Sequence, residues 1–152
     1  ITLGCAPDRY CPSETVRRDQ MATFLRRALR LPRPDQRHFS DTGGNSHDAN
    51  IHAVYEAGIT KGCGGTRYCP GEQVTRAQMA TFLFRALGLA PPSAHHFADV
   101  DPSSTHAAAI NALFEAGISQ GCEIQGDQRH FCPGDPVTRA EMASFLSRSF
   151  DL

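Results

Sequence analysis

Met79, Phe82, Leu83, Ala86 and Leu87 recur at i, i+3, i+4, i+7 and i+8, the spacing that gathers side chains onto one face of a helix. The same stripe is written twice more, as Met21, Phe24, Leu25, Ala28 and Leu29 and as Met142, Phe145, Leu146 and Phe150. Thr75 with Gln78, and Thr138 with Glu141, stand at capping-box spacing at the start of two stripes, where hydroxyl and N3 side chain each satisfy an open backbone N–H; Gly88 suits the stop. A shorter stripe, Ile51, Val54 and Tyr55, and its counterpart, Ile110, Leu113 and Phe114, predict a second kind of helix. These end at Gly58 and Gly117 in the left-handed position, with Ile59 and Ile118 packing back on the turn.

The stripes belong to a repeat of about sixty residues. Ile1-Thr2-Leu3-Gly4-Cys5 aligns with Ile59-Thr60-Lys61-Gly62-Cys63 and with Ile118-Ser119-Gln120-Gly121-Cys122. Each block leads to Cys-Pro and then to Val16-Arg17-Arg18-Asp19-Gln20-Met21-Ala22, Val74-Thr75-Arg76-Ala77-Gln78-Met79-Ala80 or Val137-Thr138-Arg139-Ala140-Glu141-Met142-Ala143. A leading block, Phe39-Ser40-Asp41 to Gly58 and Phe97-Ala98-Asp99 to Gly117, precedes the second and third copies only, so the chain is expected to begin in mid-repeat. One domain, 1–152, then holds the second half of copy one (1–31), copy two (39–88) and copy three (97–151), with Pro32-Arg33-Pro34 and Pro91-Pro92 as linkers that cannot continue a helix. Strand patterns are almost absent. The expected fold class is all-α, helix–loop–helix repeats, the first truncated, pooling their apolar faces in one core.

Fifteen Lys and Arg against sixteen Asp and Glu leave a formal charge of -1 without a basic run, which excludes nucleic acid as the partner that bulk charge would select. No apolar stretch approaches the roughly 20 residues that span a bilayer, so membrane insertion is not expected, and the first residues lack the pattern of a signal peptide. Six cysteines change the picture more. Cys5 and Cys11, Cys63 and Cys69, and Cys122 and Cys132 bracket the loops within their own copies, and local pairing is the simplest connectivity. Closing a loop of about seven residues stabilises by roughly 2 kcal/mol in the chain-entropy model. The rival reading, zinc held by Cys and His, meets intervals of five and nine residues where structural zinc sites favour two to four. Disulfides imply a secreted or cell-surface setting; no metal and no cofactor is expected.

Arg18, Arg76 and Arg139 each follow the helix cap, where the dipole disfavours a cation. A guanidinium beside open N–H groups at a helix start suits an anion, since Arg can fork onto a carboxylate; an internal ion pair with Asp41 or Asp99, or plain solvation, is the alternative. Asp41 and Asp99, two residues after an aromatic, suit either a turn cap or acceptance of sugar hydroxyls. His47 and His106 recur at the start of the short helix, where a structural role is favoured over ligation or catalysis.

Phe-x-Asp, Gly-Ile-x-x-Gly, aromatic-x-Pro and Val-Thr-Arg-Ala-Glu/Gln-Met-Ala followed by Phe-Leu resemble the motifs of the S-layer homology family, in the disulfide-containing form similar to repeats on secreted actinobacterial proteins. The resemblance implies three motifs arranged as a pseudo-threefold, three-pronged helical spindle that anchors surface proteins and exoenzymes to cell-wall polysaccharide, often polymers bearing pyruvate ketals. It assigns sugar contacts in the inter-motif grooves to Arg76, Arg139, Arg18, Asp41 and Asp99. The family's usual first-helix tryptophan is replaced here by His47 and His106, and copy one reads Val-Arg-Arg-Asp-Gln.

The function expected is a non-catalytic module binding wall polysaccharide, part of a longer secreted protein or a surface assembly. The alternative is a structural or protein–protein assembly module of a surface layer, filament or secreted enzyme complex. An enzyme is not expected: no nucleophile–base pair, carboxylate dyad or phosphate loop stands out.

Overall fold

The computed structural model describes residues 2–150; Ile1, the first position of the repeat alignment, and Asp151, the last residue assigned to copy three, lie with Leu152 outside the described residues. Among the described residues five helices follow in chain order: α1 (Arg18–Leu29), α2 (Asp48–Glu56), α3 (Arg76–Leu87), α4 (Ala107–Glu115) and α5 (Arg139–Phe150). α1, α3 and α5 carry the long apolar stripes, and α2 and α4 the short ones. At the start of α3, Thr75 Oγ1 accepts the Gln78 N–H (3.2 Å) while Gln78 Oε1 accepts the Thr75 N–H (3.2 Å), the reciprocal cap expected there. In α1 the Arg17 N–H reaches Gln20 Oε1 (3.0 Å), and Asp19, not a threonine, accepts the Gln20 N–H (2.7 Å). α2 and α4 end alike: Gly58 and Gly117 are left-handed (φ 74° and 72°), and the Ile59 and Ile118 N–H groups return to Val54 O and Leu113 O (3.0 and 2.9 Å).

The expected all-α spindle of helix–loop–helix repeats, the first truncated, is not the architecture. Helix accounts for 36% of the chain, much of the rest is loop, and an antiparallel hairpin joins β1 (Glu123–Gln125) to β2 (Gln128–His130). The hairpin occupies the longer third cysteine loop. Its six paired residues include one large apolar side chain, Ile124, 63% exposed, so there was no apolar–polar alternation to read. What sets it is closure: Gly126 (φ 59°) opens the two-residue turn, and Cys122 N–H to His130 O (2.8 Å) extends the ladder beside the disulfide.

The chain divides into two compact units, one running to Val74 with Thr138–Ala140, the other Thr75–Val137 with the chain from Glu141. In the first, α1 packs on α2 around Met21, Leu25, Ile51, Val54 and Tyr68, all buried. Thr23 Oγ1 lies 2.7 Å from His47 Nδ1 and accepts from Asn50 Nδ2 (2.6 Å), tying the two helices. In the second, α3 packs on α4 around Met79, Leu83, Ile110, Leu113 and Phe131, and Thr81 Oγ1 meets His106 Nδ1 at 2.7 Å. The packed pair therefore spans a linker, joining the long helix of one copy to the short helix of the next. Each linker is held on the short helix by a carboxylate: Glu56 accepts the Asp35 and Gln36 N–H groups, and Glu115 those of Ser93 and Ala94. His38 and His96 approach the same carboxylates at 2.8 and 2.9 Å.

Candidate functional site

The three recurring arginines occupy one kind of environment. Arg18, Arg76 and Arg139 are 3, 5 and 4% exposed, and each is fixed at the first turn of its helix. The Nε of each donates to the carbonyl of the aromatic residue before the second cysteine of a loop: Arg18 to Tyr68 (2.8 Å), Arg76 to Phe131 (2.8 Å) and Arg139 to Tyr10 (2.7 Å). Each guanidinium lies over the ring of that same aromatic, at 4.7, 4.9 and 4.8 Å from its centre. Two of the aromatics reciprocate, the Tyr68 and Tyr10 hydroxyls donating to Arg18 O (2.8 Å) and Arg139 O (2.9 Å). Burial holds the Tyr68 phenol well above its ordinary range, so it stays a donor.

The loop that receives each arginine is stiffened by a disulfide and a left-handed cysteine, and two of the three loops also by an aspartate. Disulfides join Cys5 to Cys11, Cys63 to Cys69 and Cys122 to Cys132, the local pairing expected. The second cysteine of each pair is left-handed, at φ 54°, 58° and 55°. Asp41 holds that strained dipeptide from below, its two oxygens accepting the Tyr68 and Cys69 N–H groups (2.8 Å each); Asp99 does the same for Phe131 and Cys132 (2.7 Å each). Burial pushes the Asp41 carboxyl up, but the Tyr68 and Cys69 N–H groups, joined by its own N–H and the Arg67 charge, together draw it below the ordinary carboxylate range. The acids thus act one bond behind the arginines, on the peptide whose carbonyl receives Nε.

The helix starts are also occupied. The Arg18, Arg76 and Arg139 N–H groups donate to Glu72, Asp135 and Glu14 carbonyls, and the next N–H in each helix to Pro70, Pro133 and Pro12. The cation at the positive end of the helix is thereby compensated within the chain by a carbonyl and a π-face.

Around Arg76 the second unit opens a cleft of about 330 Å³, walled by Ser119, Gln120, Gly121 and Cys122 on one side and by Glu141, Ser144, Phe145 and Arg148 of α5 on the other. Arg76 Nη1 pairs with Glu141 Oε1 (2.9 Å), its guanidinium also lies 5.6 Å from the Phe145 ring centre, and Arg148 Nη1 donates to Ile118 O (3.3 Å). Two cations facing one carboxylate leave the cleft with surplus positive charge, and Ser119 and Ser144 add hydroxyls. In the first unit Arg139 Nη2 reaches Thr2 Oγ1 (3.2 Å) and its guanidinium lies 5.9 Å from the Phe24 ring centre. Glu141 had a legible role only as a cap, and Arg148, nine residues after Arg139, carried no signal apart from the helix C-terminus. Glu14, Asp41 and Asp99 each lie within ligand distance of a cysteine pair, but those sulfurs are bonded to each other.

Residues 38–80 and 96–143 match the model of the family described as the S-layer homology domain. Among curated relatives, the chain is 30% identical to an exoglucanase XynX of Acetivibrio thermocellus over 75% of this chain and 10% of the relative. It is 30% identical to an amylopullulanase of Thermoanaerobacterium thermosulfurigenes over 75% of this chain and 6% of the relative. It is 31% identical to the S-layer protein sap of Bacillus anthracis over 91% of this chain and 17% of that protein. The chain therefore spans under a fifth of each of these relatives.

Proposed function

The chain belongs to the S-layer homology domain family, and from that premise we propose that it anchors a secreted or cell-surface protein by binding cell-wall polysaccharide through its helix-start arginines. Family membership makes it an anchoring module rather than a catalyst; the enzymes among its relatives match it over a small part of their length. No helix among the described residues is long and apolar enough to cross a membrane.

The observation that carries the reading is Arg76, 5% exposed and fixed over Phe131, presented in a cleft of about 330 Å³ that also holds Arg148, Glu141 and two serine hydroxyls. A guanidinium locked by Nε and by stacking keeps its Nη edge in one orientation, so little side-chain entropy is lost when it pairs with a carboxylate on a sugar. A pyruvate ketal supplies such a carboxylate, and the serines and Glu141 suit ring hydroxyls. Arg139 and Arg18, held in the same way, are the second and third contacts; Asp41 and Asp99 hold the loops that seat Arg18 and Arg76.

The test is retention on purified wall glycan. The double substitution Arg76→Ala, Arg139→Ala is expected to lower affinity at least about tenfold with helicity preserved by circular dichroism, while Arg76→Lys keeps the charge and loses the fork. Undiminished retention of a folded double variant rules the arginine mechanism out.

A further inference from the structure

A second basic surface lies outside the arginine sites, at the end of α1 and in the linker after it. Residues 26–37 contain Arg26, Arg27, Arg30, Arg33 and Arg37 against one acid, Asp35, in a chain whose formal charge is -1. The equivalent stretch after α3 holds Phe84, Arg85, Gly88, Pro91 and His95 at those five places, so four of the five arginines are peculiar to copy one.

Two of them are free of internal work. Arg26 donates through Nη1 to Asn50 Oδ1 (2.8 Å), and Arg37 pairs with Asp48 (3.1 Å). Arg30 and Arg33 are exposed, and among the described residues neither side chain makes an ion pair or hydrogen bond. Arg26 and Arg27 complement the helix C-terminus, but Arg30 stands at the C-cap and Arg33 beyond it, past the reach of the last turn's carbonyls. Arg30 is also left-handed (φ 52°), where α3 has Gly88 (φ 59°); a side chain there costs stability that glycine does not. The linker turns back on the helix, Leu31 N–H donating to Arg26 O (3.0 Å) and Arg26 Nε to Pro32 O (3.4 Å). Arg30 follows three residues after Arg27 and Arg33 three after Arg30, so the three cations stand at even intervals along this turn of the chain, all exposed.

We propose that Arg30 and Arg33, in line with Arg27, form a docking surface for a linear polyanion that carries a phosphate on each successive unit. A run of guanidiniums presented to solvent matches repeated charge and releases its counterions on contact. A lipid surface is the poorer fit, because the large exposed apolar side chains of the described residues are Leu3, Tyr55 and Ile124, none of them in this stretch to enter a bilayer. This surface is independent of the cleft at Arg76, which no residue of 26–37 lines.

The experiment measures binding of the full chain to long-chain inorganic polyphosphate over a salt series. The double substitution Arg30→Gly, Arg33→Gln is expected to weaken binding about tenfold. It is also expected to reduce the slope of log K against log salt by about 1.4, two contacts at about 0.7 each. The melting temperature is expected to stay level or rise, because glycine suits the left-handed cap. The same double variant is expected to keep its retention on purified wall glycan, which separates this surface from the cleft at Arg76. Unchanged affinity and slope in the double variant overturn the proposal. So does an equal loss of glycan retention and polyphosphate binding in that variant, and so does binding to phosphatidylglycerol vesicles without binding to polyphosphate.

Discussion

A guanidinium at the first turn of a helix meets the positive end of the dipole, a cost of up to about 1 kcal/mol for an exposed cation. Arg18, Arg76 and Arg139 carry it because Nε finds a carbonyl and the planar group finds a ring. The Tyr68 and Phe131 carbonyls depend in turn on Asp41 and Asp99. Replacing Asp41 by Asn keeps the shape but turns one acceptor into a donor facing an N–H. A loss of about 2–3 kcal/mol is expected in urea unfolding, and Asp99→Asn should match it. Glu141 is a different case: it is 39% exposed, and Arg76 retains its carbonyl and ring without it. Glu141→Gln is expected to change stability by under about 1 kcal/mol while making the cleft more positive. Tighter retention of an acidic glycan by that variant, in the same assay that reads Arg76→Ala, is the outcome to look for.

Within the elements, the cysteine loops are the strained parts. A Cβ on Gly62 (φ 82°) would sit 2.4 Å from Arg67 O and 2.7 Å from the Phe39 ring, whereas one on Gly58 (φ 74°) meets nothing within 4 Å. Gly62→Ala is therefore expected to cost about 3 kcal/mol and Gly58→Ala about 1 kcal/mol, a contrast that thermal melts of the two variants read directly. Joint replacement of Cys63 and Cys69 by Ser removes a seven-residue ring and is expected to cost about 2 kcal/mol, with helicity retained because neither cysteine lies in a helix. The hairpin of the third loop shares this logic. Neither strand has an apolar face, so β1 and β2 exist by closure of the ring and the turn at Gly126.

For the molecule as a whole, acid acts through groups that folding holds ionised or neutral. Hydrogen bonding from His96, then from Ser93, draws Glu115 from its ordinary 4.5 down to about 2, and His38 and the linker N–H groups lower Glu56 in the same direction. A carboxylate lowered by folding stabilises above its unfolded value, so this contribution is present above about pH 4.5 and lost as pH falls toward 2. His106 is lowered from 6.5, first by burial and then by Arg85; the folded state prefers it neutral, and its contribution shrinks as pH falls below 6.5. The melting temperature is expected to be highest near neutrality, to dip below about pH 6.5 and to fall more steeply below about pH 4.5. Glu115→Gln flattens the lower step and His106→Asn the upper one; a curve identical to the parent's in either variant contradicts the assignment. The sequence alone sufficed for the five helices, the Thr75 cap, the glycine stops and the cysteine pairs. Each of these depends on residues a few positions apart, where periodicity and loop closure act. It also singled out the arginines, because a cation after a helix cap contradicts the dipole in sequence as much as in space. Tertiary structure decided what satisfies them: Tyr68 lies fifty residues from Arg18, and Tyr10 lies 129 from Arg139. It also decided that long and short helices pair across linkers and that a hairpin forms without an apolar face, outcomes set by distant hydrogen bonds and ring closure that local patterning does not record.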